Sequence, residues 1–482
     1  MYSVTLRRDS TTERLYAKDG ESLFTLLTEA GVIIGGCGNG SCGKCRVRLI
    51  SGIVSGDVPD GCNCVRACRS KIISDITIAP PAAESFQSTA SLLRKDSYGQ
   101  PVFAAIDVGT TTIVLRALDA DGRTVAEASC PNPQASYGAD LISRIKAAET
   151  HLTELCDVLT GRISRLIESI FEDSPPKKAV IAANTVMQYF LRGADPSPFG
   201  RYPMPEVQHS AVLLDSSLFS LSRTSQILLL PPISPFVGGD IVSGIISLEH
   251  RFRSSKTLLC DLGTNGELAL ITDGKIFTAS AAAGSAFEGG GIEMGMPYGR
   301  GAIDRVIYKD GDFDVHVVGN SLPVGICGSG ISSACAALLD AGILDEKGVF
   351  VKASPRIRDS RFYLTGSVYI TQKDIATFLL AKAAIRTAFD ILIKQSGVLP
   401  EQILVSGAFG SNTDCSSLIT VSMFPNGIPI SSIGNSSLDG AADALMSAEK
   451  FNEACRVAAV AETVDLALHP DFQKTYIENL KF

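Results

Sequence analysis

The chain has 482 residues, a formal net charge of −8, 45% hydrophobic residues and 13 cysteines. This length predicts about three domains, and an acidic balance without a basic arm argues against nucleic acid as the main partner. Charged residues interrupt the segment closest to a membrane span, residues 381–398, so we expect no association with a membrane. Because no signal peptide is recognisable, the cysteines indicate a reduced, cytoplasmic protein rather than a disulfide framework.

The first 80 residues predict a small unit of strands and a helix. Tyr2–Leu6 and Glu13–Ala17 alternate in polarity around a polar turn, which predicts a hairpin. Ser22–Ala30 carries apolar residues at helical spacing and is followed by a glycine, which predicts a helix. Two further segments are expected to be strands: Arg46–Ile50 and Ile72–Ile78.

Four cysteines in this unit have the spacing of iron–sulfur ligands. They lie in the loop G-G-C-G-N-G-S-C-G-K-C and in V-R-A-C-R: Cys37, Cys42, Cys45 and Cys68. The spacing C-x4-C-x2-C with a distant fourth cysteine is that of plant-type [2Fe–2S] ferredoxins, in which four thiolates hold two irons. Together with the hairpin, helix and strands, the segment resembles the β-grasp fold of these ferredoxins.

The fourth ligand is open, because Cys62 and Cys64 lie close to Cys68 in the sequence. We prefer Cys68, which stands in a ferredoxin-like context directly before a strand, whereas the other two occupy the looser turn G-C-N-C. A zinc site is the competing interpretation. Zinc usually takes paired C-x2-C motifs, so the observed spacing favours iron.

The rest of the chain changes character after the cysteine unit. Residues 81–100 are rich in small and polar residues without periodicity, which predicts a linker. Strands and helices alternate over residues 101–460, which predicts an α/β domain. Residues 461–482 are predicted to be a C-terminal tail.

A strand followed by D-x-G-T and a second strand occurs twice in the α/β region. Asp107 begins D-V-G-T-T-T, and Asp261 begins D-L-G-T-N-G. The repetition predicts two duplicated lobes, about 101–255 and 256–460, with a cleft between them. At such turns glycine lets backbone N–H groups approach an anion, threonine hydroxyls donate to it, and aspartate can hold Mg²⁺ through water.

A third glycine-rich turn, Ser406–Gly410, also follows an apolar strand. The three turns resemble the phosphate and adenosine motifs of the superfamily of sugar kinases, actin and heat-shock ATPases, whose ribonuclease H-like lobes close on ATP. Gly440-Ala441-Ala442 and residues 324–330 resemble the connecting segments of that superfamily, where small residues suit close helix crossing.

The resemblance implies a role for each residue of these motifs. Asp107 and Asp261 are expected to organise Mg²⁺ and water. Contacts to phosphate or adenosine are expected from Gly109, Thr110, Thr111, Gly263, Thr264, Asn265, Gly407, Ala408 and Gly410. Asp240 and Glu288 are weaker candidates, since each lies in a glycine-rich loop where a cap or a loop-closing hydrogen bond explains it equally well.

A ferredoxin-like domain fused to an actin-like ATPase resembles the reductive activators of corrinoid proteins, which serve corrinoid-dependent methyltransferases, including O-demethylase systems. The resemblance spans nearly the whole chain and includes V-G-G-D, G-S-A-F-E-G-G-G-I and G-I-C-G-S-G-I. It implies ATP-dependent reduction of inactive Co(II) to Co(I) through the [2Fe–2S] cluster. The implied cofactors and partners are ATP, Mg²⁺, a corrinoid protein and an electron donor such as a ferredoxin or flavoprotein, with a homodimer as the possible assembly.

Three other functions remain open at this point. A small-molecule kinase that acquired a ferredoxin domain would need a general base, for which Asp240 is available. A redox sensor would use the state of the cluster to gate nucleotide-dependent binding of a partner. Activators of dehydratases belong to the same superfamily, but they use few cysteine ligands per chain, whereas this chain carries a complete set of four.

Overall fold

The structure is a computed structural model of the chain. It describes residues 1–8, 11–30, 45–57, 64–79, 93–94, 99–138, 140–172, 174–221, 225–249, 255–410 and 412–482. The predicted ligands Cys37 and Cys42, and the alternative Cys62, therefore lie outside the described residues.

The N-terminal unit is a mixed sheet with a helix packed across it. Its elements are β1 (Tyr2–Arg8), β2 (Thr11–Ala17), α1 (Leu23–Glu29), β3 (Arg46–Ser51), β4 (Val54–Ser55), β5 (Cys64–Arg66), β6 (Lys71–Ile72) and β7 (Ile76–Ala79). The strand order is β2-β1-β7-β3-β5, with β1 antiparallel to β2 and parallel to β7. The helix buries Leu23 and Leu27 in the same core as Val4 and Ile78, so the predicted β-grasp fold is confirmed.

The prediction of one continuous strand over Ile72–Ile78 is wrong, because this segment contributes to two strands that belong to different sheets. β6 pairs with β4, whereas β7 pairs with β1 and β3. Between them Ser74 Oγ donates to Ile53 O and accepts from Ile53 N, both at 2.8 Å. Asp75 Oδ1 accepts from Ser3 N at 2.7 Å. These bonds turn the chain from one sheet into the other at the polar pair Ser74-Asp75.

Part of the predicted linker belongs to the first lobe. Residues Leu93–Arg94 form the short strand β8, which pairs antiparallel with Ala126 and Glu127 of the strand β11 (Thr124–Pro131). Linker residues 81–92 and 95–98 lie outside the described part of the chain, whereas 99–100 are described. The attachment of the N-terminal unit to the lobe therefore begins at β8.

The first lobe is a sheet with helices on its faces. Its further elements are β9 (Phe103–Val108), β10 (Thr112–Leu118), α2 (Leu141–Phe171), β12 (Lys178–Ala183), α3 (Thr185–Leu191), β13 (Val212–Leu214), β14 (Gln226–Leu229) and α4 (Gly239–Ser247). The strand order is β13-β14-β12-β9-β10-β11-β8. β9, β10 and β11 are antiparallel neighbours, and β12 and β14 continue the sheet in parallel with β9.

The second lobe repeats this topology. Its strands are β15 (Thr257–Leu262), β16 (Gly266–Thr272), β17 (Lys275–Ala281), β18 (Ala302–Lys309), β19 (Asp312–Val317), β20 (Gly325–Ile326), β21 (Ile357–Arg358), β22 (Arg361–Tyr363), β23 (Tyr369–Thr371), β24 (Gln402–Ser406), β25 (Ile430–Ser432) and β26 (Glu462–Thr463). Its helices are α5 (Gly328–Asp340), α6 (Gln372–Ser396), α7 (Gly407–Gly410), α8 (Cys415–Thr420), α9 (Ser436–Met446), α10 (Ala448–Val460) and α11 (Phe472–Glu478).

The main sheet of the second lobe has the order β25-β24-β15-β16-β17-β26. An antiparallel trio, β15 to β17, is followed by the parallel strands β24 and β25, as β9 to β11 are followed by β12 and β14. The two D-x-G-T turns occupy the same place in this order, between the first two strands of each trio. The predicted duplication of a ribonuclease H-like lobe is therefore confirmed.

The helices α4 and α9 pack against each other between the two sheets. Their apolar side chains share one core with residues of both lobes, including Val180 of β12 and Leu259 of β15. The helices approach closely because Gly440 has no side chain: a Cβ there would lie 1.8 Å from Ser243 O. Ser243 Oγ donates to Ser437 O at 2.6 Å, which adds a polar contact to the crossing.

The segment predicted to be a tail packs onto the second lobe. Within residues 461–482, β26 extends the main sheet and α11 lies against α6. Phe482 stacks on Phe378 of α6 with a centroid separation of 6.4 Å, and its backbone N–H donates to Glu346 O. The sequence pattern of residues 461–482 is too weak to predict β26 and α11, although both are part of the fold.

The crossing of α4 and α9 predicts opposite effects for two glycine-to-alanine substitutions. Gly440→Ala should lower the free energy of unfolding by about 1–3 kcal/mol, because the new methyl group overlaps the backbone of α4. Gly161→Ala is the matched control: a Cβ at this helical glycine of α2 meets nothing within 4 Å. Gly161→Ala should raise the free energy of unfolding by about 0.5–1 kcal/mol, because alanine loses less conformational freedom than glycine when a helix forms. Urea titrations of both variants measure the two changes, and equal effects would contradict the close crossing.

Candidate functional site

The first D-x-G-T hairpin joins β9 to β10 at the edge of the cleft. Gly109 N donates to Thr112 O at 2.9 Å, and a Cβ on Gly109 would lie 2.9 Å from the same oxygen. Asn132 holds the turn from the neighbouring strand: its Nδ2 donates to Gly109 O, and its backbone N–H donates to Thr111 O. The turn is thereby fixed with the Thr111 side chain half-buried at the cleft.

The second hairpin joins β15 to β16 and faces the first across the cleft. Gly263 N donates to Asn265 O at 3.0 Å, which closes the turn. The Thr264 and Thr111 Oγ1 atoms are 3.1 Å apart. The Glu288 carboxylate accepts from both, at 2.6 Å from Thr111 Oγ1 and 3.0 Å from Thr264 Oγ1. The two predicted phosphate turns therefore meet, and a carboxylate bridges them.

Four carboxylates gather at the floor of the cleft. Asp107 and Asp261 end the first strand of each lobe, Asp240 lies in the first turn of α4, and Glu267 begins β16. Burial, together with the charges of Asp240 and Asp107, raises the pKa of Asp261 to about 8. Burial and the charge of Asp107 raise the pKa of Asp240 to about 7. Burial and the charges of Asp240 and Asp261 raise the pKa of Glu267 well above its ordinary value.

Asp107 is held by the N-terminus of α9. Asn435 Nδ2 donates to Asp107 Oδ2 and Ser437 Oγ donates to Asp107 Oδ1, both at 2.9 Å. Burial raises the pKa of Asp107 while these two bonds lower it. Asn435 also caps α9 by accepting from Leu438 N. The same side chain therefore links the start of α9 to Asp107.

The third glycine-rich turn lies directly beside Asp261. Gly407 has φ +89°, and a Cβ there would lie 2.4 Å from Asp261 Oδ1, so both conformation and space require glycine. Its backbone N–H donates to Gly434 O at 3.2 Å. Ser406 Oγ lies 2.7 Å from Ser436 Oγ, which joins the turn to α9. The candidate adenosine turn is thus tied to the carboxylate cluster.

The remaining predicted residues differ in what they present to the cleft. The Thr110 hydroxyl is buried and accepts from Asn184 Nδ2 at 3.2 Å, so it points into the first lobe. Asn184 also caps α3, as expected for a structural residue. Asn265 bonds to Glu267 and lowers its pKa. Gly410 is buried against Val405, and Ala408 lies in α7. The roles of these residues toward a nucleotide stay predictions.

Several site residues were not identified by sequence reasoning. Glu267 follows D-L-G-T-N-G directly, and a buried acidic residue after a phosphate turn was a usable signal. Asn435 and Ser437 lie in N-S-S before an apolar run, which indicated a helix cap but not its contact with Asp107. Asn132 carries no local signal, because its function depends on the pairing of β11 with β10. Glu288 and Asp240 were only weaker candidates, yet both lie at the cleft.

Two of the predicted cluster ligands are in contact. Cys45 Sγ and Cys68 Sγ are 3.1 Å apart, and Cys68 N lies 3.5 Å from Cys45 Sγ. The backbone bond from Ala67 N to Cys45 O, at 2.8 Å, fixes the two segments. Cys64, the described alternative, begins β5 and pairs with Arg48 of β3. The sulfurs of Cys45 and Cys68 therefore converge at one end of the β-grasp sheet.

The described residues form no complete metal site of their own. Within the described ranges, no group of three or more His, Cys, Asp or Glu side chains converges closely enough to hold a metal ion. No helix in that part of the chain is long and apolar enough to cross a bilayer.

Family profiles match three consecutive stretches of the chain. Residues 6–72 match the 2Fe-2S iron-sulfur cluster binding domain. Residues 102–251 match the RACo middle region, and residues 255–482 match the C-terminal domain of RACo, the ASKHA domain. The stretches correspond to the β-grasp unit and the two lobes.

A curated relative decides the family. The corrinoid activation enzyme RamQ of Eubacterium limosum is 30% identical over 422 residues, which cover 80% of this chain and 71% of RamQ. The chain belongs to the family of corrinoid activation enzymes. A second relative, the [Co(II) methylated amine-specific corrinoid protein] reductase of Methanosarcina barkeri, is 28% identical over 285 residues, covering 53% of this chain and 52% of the relative.

A solved structure supports the fold of this corrinoid activation enzyme over its whole length. The reductive activator for corrinoid,iron-sulfur protein superimposes with a TM-score of 0.72 and 24% identity, covering 100% of this chain and 98% of that chain. The predicted fold class, a ferredoxin-like domain followed by actin-like lobes, is therefore confirmed.

The carboxylate cluster predicts that stability falls as pH rises. Folding raises the pKa of Asp261 to about 8 and that of Asp240 to about 7, so the folded protein binds more protons than the unfolded chain. The stabilisation is complete below about pH 4 and is lost as pH rises through these folded values. We expect the urea midpoint of the metal- and nucleotide-free protein to drop between about pH 6 and about pH 8.5.

Asp261→Asn should reduce this drop, because the amide carries no charge at any of these pH values. Asp340→Asn, at the exposed end of α5, is the control and should leave the difference between the two midpoints unchanged. An identical pH dependence in wild type and Asp261→Asn would contradict the electrostatic account of the cluster.

Proposed function

We propose that this protein uses ATP to reduce the inactive Co(II) form of a corrinoid protein to Co(I) for a corrinoid-dependent methyltransferase. The observation that carries the proposal is one chain that combines an iron–sulfur cluster domain with two facing phosphate turns over a carboxylate floor. RamQ is named for corrinoid activation and the M. barkeri relative for reduction of a Co(II) corrinoid protein. Both names agree with a cluster that delivers an electron and a cleft that binds a nucleotide.

The cysteines fit a [2Fe–2S] cluster. The sulfurs of Cys45 and Cys68 lie side by side. The other two thiolates would come from Cys37 and Cys42 of the C-x4-C-x2-C loop, which lie outside the described residues. The 3.1 Å contact supports Cys68 as the fourth ligand. When bound, the cluster supplies one electron at a time. Cys45 and Cys68 would hold the cluster where their sulfurs meet. The cobalt of the corrinoid protein, the substrate of the reaction, would receive the electron.

The carboxylate floor fits Mg²⁺ bound together with a nucleotide. Mg²⁺ keeps several waters and usually takes one or two carboxylates plus substrate phosphates. This agrees with carboxylates that repel one another yet do not form a metal site alone. Asp107 and Asp261 would hold the ion through water. Asp240 and Glu267 are close enough to change its electrostatic environment or to orient a water.

The two turns provide the donors for the phosphates. The hydroxyls of Thr111 and Thr264 face each other from opposite lobes. Further backbone N–H donors in the two turns are what the superfamily resemblance implies. A polyphosphate bound there contacts both lobes, so its binding and hydrolysis change their separation. The turn at Gly407, which touches Asp261, is suited to receive the base or ribose. These roles follow the superfamily resemblance and the observed proximity of the three turns.

The energetics explain why ATP is needed. A plant-type cluster has a potential near roughly −400 mV, and reduction of Co(II) to Co(I) requires a still lower one. One electron moved through about 100 mV corresponds to about 2.3 kcal/mol. A coupling of about 1–3 kcal/mol, typical of allosteric binding, therefore shifts a potential by only about 40–130 mV. A gap of several hundred millivolts needs ATP turnover coupled to a larger change, in the corrinoid protein or in its cobalt ligands.

Further features of the proposal follow from the reaction. Each turnover removes one electron from the cluster, so an external donor such as a ferredoxin or flavoprotein must return it. A cytoplasmic location is also part of the proposal, because the oxygen-sensitive chemistry of the reaction suits a reducing compartment. A homodimer is part of the proposal because symmetric dimers are the commonest assemblies of soluble proteins.

The fourth cluster ligand can be identified by alanine substitutions in the cysteine turn. Cys68→Ala should abolish the visible charge-transfer bands and the iron of the anaerobically purified protein, because the cluster loses a thiolate that Cys45 touches. Cys64→Ala and Cys62→Ala should keep both signals, as should the control Cys455→Ala in α10. ATP hydrolysis should survive in all four variants. Retained bands in Cys68→Ala with loss in Cys64→Ala would assign the ligand to Cys64.

The central test follows the cobalt directly. Reduced protein, Mg-ATP and an oxidised corrinoid protein are mixed anaerobically, and the Co(I) spectrum should appear with ATP but not without it. Asp261→Ala should lower ATP hydrolysis and Co(I) formation by at least about 100-fold while the cluster spectrum stays intact. Asp340→Ala, at an exposed site, should behave as wild type.

Two results would overturn the proposed function. Co(I) formation at the same rate without nucleotide would remove the role of ATP. ATP hydrolysis stimulated by a sugar or a small acid, and not by the corrinoid protein, would favour the kinase alternative.

A further inference from the structure

Glu288 occupies the donors that a nucleotide phosphate requires. Its Oε2 accepts from Thr111 Oγ1 at 2.6 Å, and its Oε1 accepts from Thr264 Oγ1 at 3.0 Å. Thr111 belongs to the first lobe, and both Thr264 and Glu288 belong to the second. The bond to Thr111 therefore joins the lobes, whereas the bond to Thr264 stays within one lobe and persists when the lobes separate.

The backbone around Glu288 is held tightly. Phe287 packs on Phe409 beside the adenosine turn and on Phe378 of α6, with centroid separations of 4.8 and 6.0 Å. A Cβ on Gly328, at the start of α5, would lie 1.8 Å from Phe287 O. A Cβ on Gly290 would lie 2.2 Å from Ser285 Oγ. The loop has no space in which to shift, so the Glu288 side chain is what has to move.

The contact leaves no room for a phosphate between the lobes at this point. The two hydroxyl oxygens are 3.1 Å apart, which is hydrogen-bond contact. A phosphate oxygen can accept from these hydroxyls only after the carboxylate has released them. A carboxylate that stayed in place would also face the phosphate as a like charge. Glu288 and a phosphate are therefore mutually exclusive on Thr111.

The charge of a buried cation interacts with Glu288. Arg144 of α2 is fully buried, and its Nε donates to Gly138 O at 2.9 Å. Burial lowers the pKa of Arg144 to about 10, and the charge of Glu288 acts in the opposite direction. The Arg144 guanidinium also donates to neutral groups, Gln134 Oε1 and Met187 Sδ. The charges of Glu288 and Asp140 are therefore the ones that favour the ionised form of Arg144.

We propose that Glu288 competes with the terminal phosphate of a nucleoside triphosphate for Thr111 and Thr264, and so sets the preference between tri- and diphosphate. The inference rests on the proposed nucleotide site. The base lies at the Gly407 turn in the second lobe, and the last phosphate of the chain is the one that reaches the opposite lobe. A diphosphate leaves the bridge between the lobes closed, whereas a triphosphate has to open it.

The test compares two nucleotides on the full-length protein. The dissociation constants of Mg-ADP and of the non-hydrolysable Mg-adenylyl imidodiphosphate are measured by calorimetry for wild type, Glu288→Ala and Glu288→Gln. Glu288→Ala should bind the triphosphate at least about tenfold more tightly, because two charge-assisted bonds no longer have to break. Its affinity for the diphosphate should change less than about threefold. Glu288→Gln should shift in the same direction but less, since the amide still accepts one bond.

A matched control and a double variant separate competition from a general effect on the loop. Glu293→Gln removes a carboxylate from the same segment, where it accepts from Tyr369 Oη at 2.7 Å, and should leave the ratio of the two constants unchanged. In a Thr111→Val background, Glu288→Ala should tighten triphosphate binding much less than in wild type. The valine has no hydroxyl for which Glu288 and the phosphate could compete.

The outcomes distinguish this inference from the proposed function. If wild type binds neither nucleotide, both fail. If wild type binds both nucleotides but Glu288→Ala binds the triphosphate equally or more weakly, Glu288 is a ligand or organiser of the bound nucleotide and only the competition is overturned.

Discussion

Repulsion among carboxylates at the floor of the cleft constrains most of this structure. Asp107, Asp240, Asp261 and Glu267 come from both lobes and from the helix between them. The charges of the three aspartates raise the cost of ionising one or more of the other carboxylates. The fold holds them in place with neutral donors, such as Asn435 and Ser437, and with glycines that allow close approach. Such an arrangement gains stability when a cation enters, since any ligand of the folded state alone stabilises it. The repulsion that the fold tolerates without a ligand thus favours the entry of a cation, as expected for the proposed Mg²⁺.

The lobes are joined by a crossing that transmits small movements. α4 carries Asp240 at its first turn, and α9 begins with the residues that hold Asp107. The two helices touch backbone to backbone at Gly440, and they share a core with both sheets. A change in the charge of the cleft therefore acts at the ends of the two helices about which the lobes meet. Packed interfaces of this kind favour a few discrete arrangements over continuous deformation.

Local patterns in the sequence were enough for the architecture but not for all of the site. The D-x-G-T turns and the cysteine spacing each place several functional groups within a few residues, so their chemistry was readable without a structure. The split of Ile72–Ile78 was not, because Ser74 turns the chain through bonds to Ile53, which is distant in sequence. Glu288 posed the same difficulty: a glutamate in a glycine-rich loop has many possible partners. Only the approach of two lobes puts its carboxylate between two threonines.

The short strand β8 also limits the distance between the ferredoxin-like domain and the first lobe. Because Leu93–Arg94 is paired with β11, only residues 80–92 separate the described end of that domain, Ala79, from the first lobe. Covalent geometry limits this span to about 50 Å, whatever its conformation. A redox centre confined to that radius has an effective concentration on the order of millimolar at the lobes. An electron-delivering domain tethered in this way encounters a corrinoid protein bound to the lobes far more often than a separate ferredoxin at its cellular concentration does.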